Sequence, residues 1–147
     1  LEESDKIWRS IDRDQLFQAL RMLKMKKLVE VIEKADRARV AITPAGKNRA
    51  QNFIIEGLEI KKPKKWDGKW RLVIYDIPEP RKKMRDGFRQ HLKRLGFCEF
   101  QKSVFAIPYP SEDEITTLVN LMNLKDNVRY LEATLSHDQD LRNEFSI

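Results

Sequence analysis

Trp70 to Ile77 reads Trp-Arg-Leu-Val-Ile-Tyr-Asp-Ile, and its alternation leaves no polar face: Trp70, Leu72 and Ile74 project to one side, Val73, Tyr75 and Ile77 to the other. A β-branched and aromatic run of this kind is a strand, and Pro78 and Pro80 close it. Apolar surface on both sides needs cover on both sides. One face is expected to pack on the chain's own helices and the other on a partner, whether a second subunit or another module of the chain.

The residues that follow supply such helices. Pro80 marks a helix start, Met84, Phe88, Leu92 and Leu95 recur at helical spacing, and Gly96 is the stop. The outer side of this helix carries Arg81, Lys82, Lys83, Arg85, Arg89, Lys93 and Arg94 against a single Asp86, and Gly87 within it suggests close approach of another backbone. Phe97 to Gln101 and Ser103 to Ile107 read as strands. Ser111 with Glu114 reads as a capping box ahead of a helix with Ile115, Leu118, Val119 and Met122 on its apolar face, and Asn127 to Thr134 is a last strand. The order βαββαβ is that of a ferredoxin-like α+β sandwich over residues 70–135. Ser136 to Ile147 reads as a polar tail.

Ahead of this lies a different pattern. Leu1 to Ser10 has the look of a helix end anchored by Ile7 and Trp8. Asp12 with Gln15 is a capping box before Leu16, Leu20 and Leu23, which share one face of a helix from about Arg13 to Lys26. Its opposite face holds Arg13, Gln18, Arg21 and Met25, with Lys24 at the margin. Leu28–Ile32 and Arg39–Thr43 form a hairpin with a charged tip, and Thr43-Pro44 starts a second helix running toward Gly57. Residues 1–60 thus make one module. A basic linker at 61–69, with Lys61, Lys62, Lys64 and Lys65 around Pro63 and an Asp67-Gly68 turn, separates it from the next, and Trp66 and Trp70 are placed to seal the interface between the modules.

Charge is uneven along the 147 residues. The net charge is +6, but residues 1–110 hold 26 basic and 15 acidic residues, and Ser111 to Ile147 hold three basic and eight acidic. A polyanionic partner for the first three quarters follows. The single cysteine, Cys98, excludes an internal disulfide and any CxxC zinc site, which fits a reducing cytoplasm. No apolar run approaches the ~20 residues that span a bilayer.

The segment DQLFQALRMLKMKKLVEV with ARVAITPAGKNRA resembles the winged helix-turn-helix fold, in which one helix enters the major groove of double-stranded DNA and the wing meets the flanking backbone. The resemblance makes Asp12–Lys26 the recognition helix, with Arg13, Gln18, Arg21 and Lys24 toward DNA, and puts Arg37 and Arg39 at the wing tip. Lys64 and Lys65 would act as a phosphate-contacting strap. Complete modules of this kind have one or two helices before the recognition helix, where only Leu1–Ile11 stand here. The stretch WDGKWRLVIYDIPEPRKKMRDGFRQHLKRLGFCEFQKSVFAIPYP resembles the central domain of PaaX-type transcriptional regulators, itself similar to the small CRISPR-associated subunit of the spacer-acquisition machinery. Such regulators carry a further, effector-sensing domain after this one. The resemblance implies a homodimeric DNA-binding regulator without cofactor, the ferredoxin-like domain serving as dimerisation scaffold and Arg81, Lys82, Arg85 and Arg89 as phosphate contacts.

Asp76 is the candidate catalytic and metal residue. It stands where the CRISPR subunit has its metal-binding aspartate, and a magnesium ion there would take oxygen ligands and activate water, which makes a magnesium-dependent endonuclease or integration subunit the alternative function. A lone carboxylate before a Pro-x-Pro turn also serves as a helix cap or as partner to Arg81 or Lys82. His91 reads as a surface or phosphate-facing residue, His137 as a solvated one, and Cys98 as a small strand residue.

Overall fold

A computed structural model describes residues 9–34 and 37–147, and the chain divides between Ile54 and Ile55 into two units. The anchors Ile7 and Trp8 and the hairpin tip Ala35-Asp36 lie outside the described residues. No helix among the described residues is long and apolar enough to cross a membrane.

The first unit is helix, hairpin, helix. Helix α1 spans Arg13–Met25, and the Asp12 carboxylate accepts from the Asp14 and Gln15 amides at 2.9 and 3.3 Å. Strands β1 (Val29–Lys34) and β2 (Arg37–Ile42) pair antiparallel from Val29↔Ile42 to Lys34↔Arg37. The ribbon therefore runs further than its β-branched residues indicate, because the ladder continues through charged residues that a solvent-exposed edge tolerates. Helix α2 spans Pro44–Glu56. Thr43 Oγ1 accepts from the Gly46 amide at 3.0 Å and donates to the Lys27 carbonyl at 2.7 Å. A Cβ at Gly46 would sit 1.9 Å from the Leu28 carbonyl oxygen, so the Thr-Pro-Ala-Gly start needs its glycine for that close approach. Among the described residues of this unit only Gly46 is buried, while Phe17 is 66% and Met25 78% exposed.

The second unit carries a four-stranded antiparallel sheet in the order β4-β5-β3-β6, from β3 (Trp70–Tyr75), β4 (Cys98–Gln101), β5 (Val104–Ile107) and β6 (Val128–Ala133). Helices α3 (Lys82–Arg94) and α4 (Glu112–Leu121) follow β3 and β5, which gives the βαββαβ order and the strand arrangement of a ferredoxin-like α+β sandwich. Val73, Tyr75, Phe105, Ile107 and Val128 pack with Phe88, Leu92, Ile115 and Leu118. Tyr75 meets the Phe88 ring edge-on at 5.5 Å.

The second face of the sheet corrects two expectations. Ser136–Ile147 is no free tail: helix α5 (Gln139–Phe145) lies there, and buried Leu141 packs with Trp70, Leu72 and Ala106. Trp66 and Trp70 belong to this layer of the second unit, their rings 5.1 Å apart, with Phe145 5.8 Å from Trp70. Trp70 Nε1 donates to Asp138 Oδ2 at 2.8 Å, and Arg142 binds Asp138 while lying 4.7 Å over the Trp66 ring. Cover for the Trp70–Leu72 side thus comes from the same chain, and Ile74 stays 40% exposed. Leu141 and Phe145, the large apolar residues within α5, seat it together with Asp138 and Arg142.

The basic stretch differs from a free linker for a related reason. Leu58 and Ile60 pack on the core, Trp66 Nε1 donates to the Lys69 carbonyl at 2.9 Å, and Asp67 holds Arg71 through two contacts of 2.8 and 2.6 Å. The division accordingly falls before the lysines, at Ile54/Ile55. Ser111 gives no side-chain cap to α4; it is buried, and its Oγ lies 3.4 Å from the Tyr130 hydroxyl. Nor does a backbone crowd Gly87, where a Cβ would meet only Met122 Cε at an ordinary 3.9 Å. Gly87→Ala is therefore expected to raise stability by about 0.5–1 kcal/mol in urea unfolding, by restricting the unfolded chain and favouring the helix.

Candidate nucleic-acid interface

Helix α1 presents Arg13, Gln18, Arg21 and Lys24 exposed, none of them hydrogen-bonded or ion-paired to another described residue. The Asp12 cap and Asp14 in the first turn suit the positive end of the helix, and Lys24 in the last turn suits the negative end. In the ribbon, Arg37 opens β2 opposite Lys34, and exposed Arg39 stands opposite Ile32. Lys64 and Lys65 are exposed and likewise without a described partner.

The basic helix α3 is more committed than its composition suggests. Arg81 donates to Asn127 Oδ1 at 2.9 Å and to the Asn123 carbonyl at 3.1 Å. Arg85 pairs with Glu79 at 3.0 Å, and Arg89 grips both oxygens of Glu99 at 2.6 and 2.8 Å, with Lys93 3.7 Å away. Arg94 donates to the carbonyls of Ile55, Glu56 and Leu58, satisfying acceptors left over where a helix ends. Lys82 and Lys83 remain exposed and unpaired among the described residues. Glu99 is the residue a reading of the helix alone misses. Strand alternation announces it, since Glu99 lies two residues from Phe97, which faces the same layer.

Asp76 closes β3 with its backbone: its amide donates to the Asn127 carbonyl and its carbonyl accepts from Asn127 Nδ2, both at 2.8 Å. The carboxylate is exposed and engages neither Arg81 nor Lys82, which corrects the cap or ion-pair reading; Asn127 takes Arg81 instead. Among the described residues no three His, Cys, Asp or Glu side chains converge as a metal cluster, at Asp76 or elsewhere. His91 is half-buried, and burial together with neighbouring Arg94 lowers its pKa, which keeps the ring neutral and removes it from the positive surface. Burial, with Glu144, Asp140 and Glu99 nearby, raises the Cys98 thiol, as befits an unreactive strand residue.

The family described as the PaaX protein central Cas2-like domain matches residues 63–144. Among solved structures, the uncharacterized protein Rv0674 from Mycobacterium tuberculosis is similar at 19% identity and a TM-score of 0.40, over 92% of this chain and 53% of that one. The chain thus spans about half the length of that protein. No curated protein matches.

Proposed function

Because the chain belongs to the PaaX family through its central Cas2-like domain, we propose that it is a cytoplasmic, homodimeric transcriptional regulator whose first unit is a winged helix-turn-helix for double-stranded DNA. The observation that carries this reading is helix α1: four exposed polar and basic side chains, Arg13, Gln18, Arg21 and Lys24, have no partner among the described residues and are followed directly by a ribbon bearing Arg37 and Arg39. Guanidinium and amide groups on one helix suit base edges in a major groove. Lys64 and Lys65 add phosphate contacts, and two-fold pairing through the ferredoxin-like domain presents two such helices to a pseudo-palindromic site.

Selection from random duplexes by gel shift at two salt concentrations tests this. A recovered site should lose about 1–3 kcal/mol of affinity on Arg21→Ala, with less effect on unselected duplex. A uniform loss across sequences would reduce the role of Arg21 to phosphate contact. Magnesium-dependent cleavage of DNA that disappears in Asp76→Ala would replace the regulator reading by the nuclease one.

A further inference from the structure

The N-terminal part of α3, the end of β3 and the turn between β4 and β5 enclose a cleft of about 370 Å3, lined among others by Tyr75, Lys82, Arg85, Arg89, Lys102 and Ser103. We propose that this cleft is a phosphate-binding site. It lies wholly within the second unit and does not depend on the winged-helix reading.

Four cations meet three carboxylates there, Glu79, Asp86 and Glu99. The carboxylates do not satisfy the cations evenly. Glu79 holds Arg85, and both oxygens of Glu99 are taken by one nitrogen of Arg89, Nη2. Arg89 Nε is shut off from solvent and has no acceptor among the described residues. Lys82 and Lys102 are exposed with no described partner. Burial raises the pKa of the Tyr75 phenol and Ser103 hydrogen-bonds it, so it stays protonated at neutral pH beside the arginines. Two unpaired ammonium groups and two hydroxyls, set beside the two arginines, together describe the complement of a small oxyanion. Phosphate fits it better than a carboxylate does, because its several oxygens accept from guanidinium and ammonium donors at once. The carboxylates already cancel most of the charge, so the cleft suits a single phosphate group, carried either by a nucleic-acid strand or by a small phosphorylated molecule.

The full chain titrated with inorganic phosphate at constant ionic strength, followed by amide and arginine side-chain NMR, tests this. Saturable shifts are expected at Tyr75, Arg89, Lys102 and Ser103. Lys82→Gln with Lys102→Gln should weaken binding on the order of tenfold through loss of charge-assisted hydrogen bonds, and Lys82→Arg with Lys102→Arg should retain it. Shifts that grow linearly without saturating, that appear equally at Lys64 and Lys65, or that ignore the double glutamine variant would overturn the site. Two further arms identify the carrier, a duplex oligonucleotide and ribose 5-phosphate. Whichever binds more tightly than inorganic phosphate, with the same sensitivity to the glutamine pair, is the source; if neither is affected by that pair, the site is refuted.

Discussion

Trp70→Ala is expected to cost the second unit about 3–5 kcal/mol, seen as a lowered urea midpoint. The indole is fully buried, contacts Trp66 and Phe145, and directs its only polar atom to Asp138. Truncation removes the fully buried indole of this layer and takes the Trp70 hydrogen bond from Asp138, which keeps Arg142. For a domain of this size the loss is a large share of total stability, and it should fall first on α5, whose Leu141 and Phe145 rest on the same layer. Trp70→Phe retains much of the apolar volume but not the hydrogen bond and should cost roughly 1–2 kcal/mol. A change below about 1 kcal/mol in the alanine variant would mean that α5 is not seated on the sheet.

Arg71→Leu should rank next, at about 1–3 kcal/mol, because it removes a buried guanidinium that satisfies the buried Pro108 carbonyl, while the carboxylates it leaves behind are half exposed to water. Arg71 is 3% exposed near the start of β3, and its guanidinium binds Asp67, Glu132 and the carbonyls of Lys69 and Pro108. The replacement leaves the buried Pro108 carbonyl without this donor and Asp67 without its cation, while Glu132 keeps Lys69 at 3.4 Å. The same network sets an acid limit. The hydrogen bond from Arg71 is the main reason that the Asp67 pKa falls from 3.8 to about 2. A depressed carboxylate stabilises the fold above its unfolded value and loses that contribution as pH drops from about 4 toward 2. Asp67 is nearly half exposed, so solvent screening keeps the contribution under about 1 kcal/mol. Asp67→Asn should flatten the stability profile across that window, and a profile still sloping as in the unsubstituted chain would show that another carboxylate sets it.

What could be read from residues alone was what period and punctuation carry. The Asp12 cap, the Thr43-Pro44 start, the heptad-like run Met84, Phe88, Leu92, Leu95 and the stop at Gly96 all appear where local chemistry puts them. The double-sided apolar strand correctly demanded cover on both sides. Its source was hidden, because α5 has few apolar residues and is held as much by Asp138 and Arg142 as by periodicity. Ser111 shows the same limit, since a capping pattern cannot reveal a tyrosine nineteen positions away that competes for the hydroxyl. For the candidate interface, composition indicated where positive charge lies but not which charges are already spent. Glu99, Glu79, Asn127 and the carbonyls of Ile55, Glu56 and Leu58 take up Arg81, Arg85, Arg89 and Arg94, which leaves Lys82 and Lys83 as the unpaired cations of that helix among the described residues.

The layer over Trp70 also has a consequence for how the protein is made. Strand β3 finds its neighbours only in later segments, Ala133 across the ladder from Trp70 and Asp138 at its indole, 68 residues downstream. At ordinary rates of synthesis that separation lasts about 3–14 s. Until β5 is made the strand has no partner from its own sheet, and for the whole interval its Trp70 face lacks the cover of α5, which makes the nascent second unit a natural client for whatever holds hydrophobic segments at the ribosome exit.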